Sequence, residues 1–296
     1  MSTSFRPNHD PGLIWSTRTR RISLGGRTWI MGIVNTTPDS FSDGGQFLDT
    51  ERAVTHGLQL LSEGADILDI GGESTRPGAA PVSADEEQAR TEPVVRELRK
   101  RVPEVCISID TSKAAVAKAA LEAGAEIVND VTAGQADTDM IPLVAATGAG
   151  FVMMHMQGTP QDMQANPHYE DVVLDVHAFL EQRMAAAMDA GVSTEQIVLD
   201  PGIGFGKTLE HNLDLMRNLK RLSVSDRPLL LGVSRKRWLG ELTGREVDNR
   251  LAASLAGVAV CIQHGAKIMR VHDVIESCDV ARVVDRMGIP ERHTPQ

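Results

Sequence analysis

A chain of 296 residues, 42% of them hydrophobic and 24% charged, has enough apolar material to bury a sizeable core and resembles neither a collagen nor a disordered polymer. Its formal net charge of -10 argues against a nucleic-acid backbone as partner, because such binders gather lysine and arginine on one face; a few local cations still suffice to hold a small anionic substrate. Three widely spaced cysteines, Cys106, Cys261 and Cys278, outline no disulfide framework or zinc site, the first residues lack a signal-peptide pattern, and the longest apolar stretch, residues 251–262, is too short to span a bilayer, so a cytoplasmic protein without membrane attachment is expected.

Residues 1–11, rich in proline and polar side chains, are expected to form a disordered tail. Residues 12–28 read as a short β-hairpin, signalled by Gly25-Gly26, that plugs the bottom of a barrel. The first long strand is expected at residues 29–34. From there one theme recurs: an alanine-rich amphipathic segment, a glycine, and a short apolar run that ends in polar residues. Gly64 introduces the run ending at Asp69, Gly124 the run ending at Asn129, Gly148 the run ending at His155, Gly191 the run 197–200, and Gly265 the run ending at Arg270. Each glycine reads as a left-handed helix stop. Residues 105–109 and 229–233 supply two further runs, which brings the count to eight. Short, nearly unbroken apolar runs are what strands buried on both faces of a parallel sheet look like. Eight of them, each followed by a helical pattern, predict a single (β/α)8 TIM barrel over residues 12–288, followed by a second disordered tail at 289–296.

The loops that follow the strands of such a barrel build its active site. Here the strand-ending residues are Asn35, Asp69 with the Glu73 to Arg76 loop, Asp110, Asn129 with Asp130, His155, Asp200, Lys236, and Arg270 with His272. A lone Asp or Asn at such a position is equally a helix cap, but eight polar endings in succession are not explained by capping. Two other signals fail. Gly206-Lys207-Thr208 ends like a P-loop, yet Pro201 stands where the first glycine is required; and the nine histidines show no HExxH spacing, so His155 reads as structural.

Seven motifs run in order from about residue 30 to 273: Asn35-Thr-Thr-Pro-Asp-Ser-Phe-Ser-Asp-Gly-Gly45, Gly71-Gly-Glu-Ser-Thr-Arg-Pro-Gly78, Ile109-Asp-Thr111, Asn129-Asp130, Asp200-Pro-Gly-Ile-Gly-Phe-Gly-Lys-Thr208, Ser234-Arg-Lys236 and Arg270-Val-His272. Together they resemble the motif series of the dihydropteroate synthase family. The resemblance implies a transferase that joins 6-hydroxymethyl-7,8-dihydropterin pyrophosphate to p-aminobenzoate, giving 7,8-dihydropteroate and pyrophosphate in folate biosynthesis, and that is a target of sulfonamides. It also implies small-molecule substrates and a homodimer. By this resemblance Asp110, Asn129, Asp200, Lys236 and Arg270 bind the pterin, and Asn35, Thr75, Arg270 and His272 bind the pyrophosphate, with Asn35 the ligand of a Mg2+ cofactor. Phe41, Thr75, Arg76, Pro77 and Ser234 would enclose p-aminobenzoate, Ser234 from the start of a helix whose amides favour an anion. Asp39, Lys236 and Arg270 are the expected catalytic residues, Asp39 facing the positive charge that develops as pyrophosphate leaves. For single residues the plainer readings stay open: Asp200 as a helix cap, Asp39 as a turn aspartate, Arg76 as a surface ion-pair partner. A methyltetrahydrofolate to corrinoid methyltransferase and a non-catalytic pterin-binding paralogue are the alternative functions, and the first-loop motif, Lys236, Arg270 and His272 favour the synthase.

Overall fold

The computed structural model describes residues 12–36, 45–75 and 78–288. Two short antiparallel strands come first, β1 (Ile14–Ser16) and β2 (Arg21–Ser23). Their turn lies at Thr17 to Arg20, where the Thr17 amide donates to the Arg20 carbonyl at 2.9 Å, and not at Gly25-Gly26, which follow the second strand. A residue distant in sequence accounts for the difference. The buried Glu126 carboxylate accepts from Thr17 Oγ1 at 3.1 Å, Thr19 Oγ1 at 2.6 Å, Arg20 Nε at 2.7 Å and Arg99 at 2.8 Å. Burial works against its charge, but these donors, Arg20 foremost, hold its pKa below the usual value.

Eight parallel strands follow: β3 (Trp29–Asn35), β4 (Ile67–Gly71), β5 (Cys106–Asp110), β6 (Ile127–Asp130), β7 (Gly150–Met154), β8 (Ile197–Asp200), β9 (Leu230–Gly232) and β10 (Ile268–Val271). They pair in the order β8-β7-β6-β5-β4-β3-β10-β9. The two ends meet at a parallel bridge between Leu199 and Leu229, beside which the Leu199 amide donates to the Pro228 carbonyl at 3.0 Å, so the sheet closes into the barrel that the eight apolar runs predict. The strand bounds move by about a residue from the sequence reading.

The helices are α1 (Gly45–Glu63), α2 (Ala84–Arg101), α3 (Ala114–Ala123), α4 (Met140–Thr147), α5 (Val172–Asp189), α6 (Leu209–Arg217), α7 (Arg237–Thr243), α8 (Leu251–Gln263) and α9 (Val274–Met287). One follows each strand, except that β9 is followed by both α7 and α8. Local chemistry sets their ends. In α2 the Ser83 hydroxyl caps the Glu86 amide, three acidic residues stand in the first turn and three basic ones in the last, each complementing the helix dipole. Gly124 stops α3 with φ at 121°, a backbone state that side chains resist, and a Cβ there would stand 3.0 Å from Arg99.

Side-chain parity divides the core in two. Outward residues of the strands pack under the helices. Inward residues, one from each barrel strand from Met31 on β3 to Ile268 on β10, form an apolar bottom layer that Trp15, Ile22 and Leu24 of the hairpin region seal. Trp15 is fully buried, with its indole N–H donated to the Gln196 carbonyl at 2.8 Å. Among the described residues no helix is long and apolar enough to cross a membrane.

Candidate active site

Two residues further up, the same inward face becomes polar on five of the eight strands. Ile67 gives way to Asp69, Cys106 to Ser108 and then Asp110, Ile127 to Asn129, Val198 to Asp200, and Ile268 to Arg270. The apolar floor thus supports a charged layer at the carboxyl ends of the strands, where barrel enzymes carry their chemistry. A Cβ on Gly71 or Gly232 would meet only ordinary contacts, 3.6 Å from the Asp110 carboxylate and 3.9 Å from Arg270 Cβ, so the layer is not crowded at either position.

Arg270 lies at the centre. Its Nε donates to Asp69 Oδ2 at 2.6 Å and its Nη2 to Asp110 Oδ2 at 2.7 Å. Asn129 Nδ2 donates to the same Asp69 oxygen at 3.0 Å. Burial works against the guanidinium charge, but Asp69 and Asp110 outweigh it and raise the Arg270 pKa. Asp110 responds the opposite way: burial pushes its carboxyl up to about 7, against the pull of Arg270 and with the help of Asp69. Asp69 Oδ1 and the Ser108 hydroxyl, both fully buried, have no partner among the described residues.

Asp200 closes another side of the layer. Its Oδ1 accepts from the Gly202 amide at 2.7 Å, and its carbonyl accepts from the His155 amide at 2.9 Å. Burial pushes the carboxyl up to about 6 although Gly202, Lys236 and Lys207 all favour its charge. Gly202 has φ at 68°, and a Cβ there would fall 1.9 Å from the His155 carbonyl oxygen, so only glycine lets this turn fold back under Asp200. Lys236 places its ammonium 4.0 Å from the centre of the Phe205 ring, and burial, reinforced by Arg270, brings its pKa down to about 8.

Behind this wall Lys207 is buried, donating to Phe205 O at 2.9 Å and to His155 Nδ1, also at 2.9 Å. Burial lowers the Lys207 pKa to about 7, and burial plus Lys207 lowers that of His155 to about 2, so His155 is a neutral acceptor. Its ring packs edge-on against Phe179, in keeping with the structural reading from sequence.

The remaining sequence-derived residues fall around the rim. Asn35 ends β3 and is exposed, and Thr75 is half-buried in the loop after β4. That loop is anchored by Lys113, whose ammonium bridges Glu73 and the buried Glu87 at 2.5 Å each. His272 follows β10, and its Nδ1 lies 3.1 Å from Ser234 Oγ. Burial, then Arg270, lowers the His272 pKa to about 4. Ser234 precedes α7 by three residues, with Lys236 at the N-cap, so its hydroxyl is engaged by His272 rather than standing at the helix start. Asp130 faces away from the layer and caps its own loop through Thr132 and Gly134. Asp39, Phe41, Arg76 and Pro77 lie outside the described residues. The sequence reading assigned no role to Asp69, Phe205 or Lys207, although strand parity points Asp69 inward.

The family model for pterin binding enzymes matches residues 31–272. The dihydropteroate synthase of Neisseria meningitidis serogroup C is 46% identical over 281 residues, which is 93% of this chain and 98% of the relative. The solved structure of Xanthomonas albilineans dihydropteroate synthase with 4-aminobenzoic acid superposes with a TM-score of 0.85 at 46% identity, covering 92% of this chain and 97% of the other. That of Yersinia pestis dihydropteroate synthase in complex with a sulfonamide drug gives 0.87 at 41% identity, covering 93% and 99%.

Proposed function

The chain belongs to the pterin-binding enzymes and, among them, to the dihydropteroate synthases, and from that premise we infer that it condenses 6-hydroxymethyl-7,8-dihydropterin pyrophosphate with p-aminobenzoate, a reaction that sulfonamides block. The observation that carries this reading is the charged layer itself. Asp69, Asp110 and Asp200 stand there on strand ends with Arg270, and Lys236 reaches in from the loop after β9, three carboxylates and two cations around one mouth. Such a layer suits a flat heterocycle that alternates donors and acceptors and carries an anionic tail.

In the proposed division of work, ionised Asp200 accepts from the pterin amino group and the adjacent ring N–H, while Lys236 donates to the oxo and ring-nitrogen side. Asp110 and Asn129 meet the other ring edges. Arg270, braced by two carboxylates, stacks on the ring and reaches the pyrophosphate. Thr75, Asn35 and neutral His272 add donors to that anion. The bond from the pterin methylene carbon to the pyrophosphate oxygen breaks with its electron pair going to pyrophosphate. Asp39 faces the resulting positive charge, the arylamine nitrogen forms the new C–N bond, and the nitrogen then loses a proton. Phe41, Thr75, Arg76, Pro77 and Ser234 enclose the arylamine.

Magnesium belongs to the same proposal. Among the described residues no cluster of three His, Cys, Asp or Glu side chains is suited to hold a metal, whereas Asn35 offers one hard oxygen at an exposed strand end. That donor set fits Mg2+, which completes its shell with water and phosphate oxygens. The ion would neutralise charge on the leaving pyrophosphate.

We further propose a homodimer, supported by exposed Ile275, Val283 and Met287 along α9, and a cytoplasmic location, supported by three free, buried cysteines. Calorimetric titration with 6-hydroxymethyl-7,8-dihydropterin tests the pocket. The proposal expects binding that Asp200→Asn weakens by about tenfold or more. Equal affinity in the variant would remove Asp200 from the site, and methyl transfer to a corrinoid in place of dihydropteroate formation would overturn the reaction.

A further inference from the structure

The loop after β4 is fastened at its root by one carboxylate that meets two donors. Glu73 Oε1 accepts from the Val82 amide at 2.9 Å, closing the loop across its base, and Oε2 accepts from Lys113 Nζ at 2.5 Å. Lys113 stands three residues past Asp110, so this bond ties the loop to the end of β5. The segments on either side are held as well. Gly72 is pressed onto α2, where a Cβ would fall 2.7 Å from Thr91 Cγ2, and its carbonyl accepts from Arg90 Nη1 at 3.0 Å. Farther along, the Gly78 amide donates to the Pro160 carbonyl at 3.0 Å, on the loop after β7. Thr75 lies between these supports, two residues beyond Glu73.

The two carboxylates on Lys113 do different work. Glu87 is fully buried; its Oε2 meets the ammonium at 2.5 Å and its Oε1 has no partner among the described residues, so the fold itself requires a cation there. Burial works against the Lys113 charge, but Glu73 and Glu87 hold its pKa above the usual value. The Glu73 side chain is 24% exposed, and water would solvate it without Lys113. Its contribution is to join the loop to a cation already fixed by Glu87. We propose that Glu73 is a positioning residue for the arylamine substrate, holding Thr75 and the loop that carries it at the p-aminobenzoate site without touching the substrate. The inference rests on the reading of this loop as one wall of that site. A carboxylate suits the task because it offers two acceptor oxygens to two donors. A glutamine has one, so its NH2 group would face either the Val82 N–H or the ammonium, donor against donor.

The test is steady-state kinetics with p-aminobenzoate as the varied substrate, beside calorimetric affinity for 6-hydroxymethyl-7,8-dihydropterin, in the wild type, Glu73→Gln and Glu73→Ala. The expected result is a KM for p-aminobenzoate raised about tenfold in Glu73→Gln and at least as much in Glu73→Ala, with kcat within about threefold of the wild type. The dihydropterin affinity should be unchanged and the melting temperature within about 4 °C. A merely structural role would move pterin affinity, melting temperature and kcat together, and that pattern overturns the proposal. So does an unchanged KM for p-aminobenzoate in a competent enzyme. A wild type that forms no product overturns the functional reading, and this inference with it. Should Glu73→Ala fail to fold, Glu73→Gln decides; failure of both makes Glu73 structural and overturns the proposal.

Discussion

Replacing Arg270 with methionine keeps an unbranched apolar stem and removes the guanidinium that joins Asp69 at 2.6 Å to Asp110 at 2.7 Å. Removing one partner of a buried ion pair costs about 3–5 kcal/mol, and because the Arg270 side chain is 21% exposed the lower end of that range applies. The pH dependence is the sharper signature. Burial has already carried the Asp110 carboxyl from 3.8 up to about 7 despite Arg270. A neighbouring guanidinium holds a carboxylate down by about 1–3 pKa units, so without it Asp110 rises to about 8 or above. A carboxyl whose folded pKa exceeds its unfolded value loses stability as pH climbs between the two. The wild type stops losing at about 7, whereas Arg270→Met goes on losing beyond it. The stability gap should therefore widen by about 1–3 kcal/mol between roughly pH 6 and pH 9. Urea unfolding followed by tryptophan fluorescence at both pH values measures it. A gap of the same size at both would refute the assignment of Arg270 as the group that holds Asp110 ionisable.

Four other outcomes follow from the geometry. Gly202→Ala forces a Cβ to 1.9 Å from the His155 carbonyl at a positive φ, and should cost about 3 kcal/mol or more, lowering the melting temperature and pterin affinity together. Glu126→Ala leaves Arg20 and Arg99 without their shared acceptor; since both are part-exposed, thermal unfolding should register a loss of only about 1–3 kcal/mol, with kcat at low temperature unaltered. Trp15→Ala empties the bottom layer and should cost about 3–5 kcal/mol by denaturant titration, again without altering the pocket's affinities. The profile of kcat/KM against pH should rise as Asp200 ionises near about 6 and fall as Lys236 loses its proton near about 8, and Asp200→Asn should erase the acid limb.

The barrel was legible because buried parallel strands are short apolar runs, and because glycines such as Gly124 and Gly148 do stop helices with positive φ. The hairpin turn was not, since what fixes it is Glu126, more than 100 residues away in sequence. The site was legible where a polar residue ends a run, as with Asp110, Asn129, Asp200 and Arg270. Asp69 was named as a run ending but received no role, because its partners Arg270 and Asn129 lie 201 and 60 residues away in sequence. Lys207 was hidden in a segment that imitates the end of a P-loop; its actual partners, His155 and Phe205, are a neighbouring strand end and its own turn. Ser234 drew a helix-start role because the run ends beside it, but Lys236 takes the N-cap position and leaves Ser234 to His272.

The central claim, that this charged layer turns over a pterin pyrophosphate and an arylamine, is tested most directly by a single reaction. The chain is incubated with 6-hydroxymethyl-7,8-dihydropterin pyrophosphate and p-aminobenzoate, with and without Mg2+, alongside Arg270→Ala, and both products are followed. Equal amounts of pyrophosphate and 7,8-dihydropteroate, dependent on magnesium and lost in Arg270→Ala, are the predicted result. Tight pterin binding with neither product formed would contradict the account.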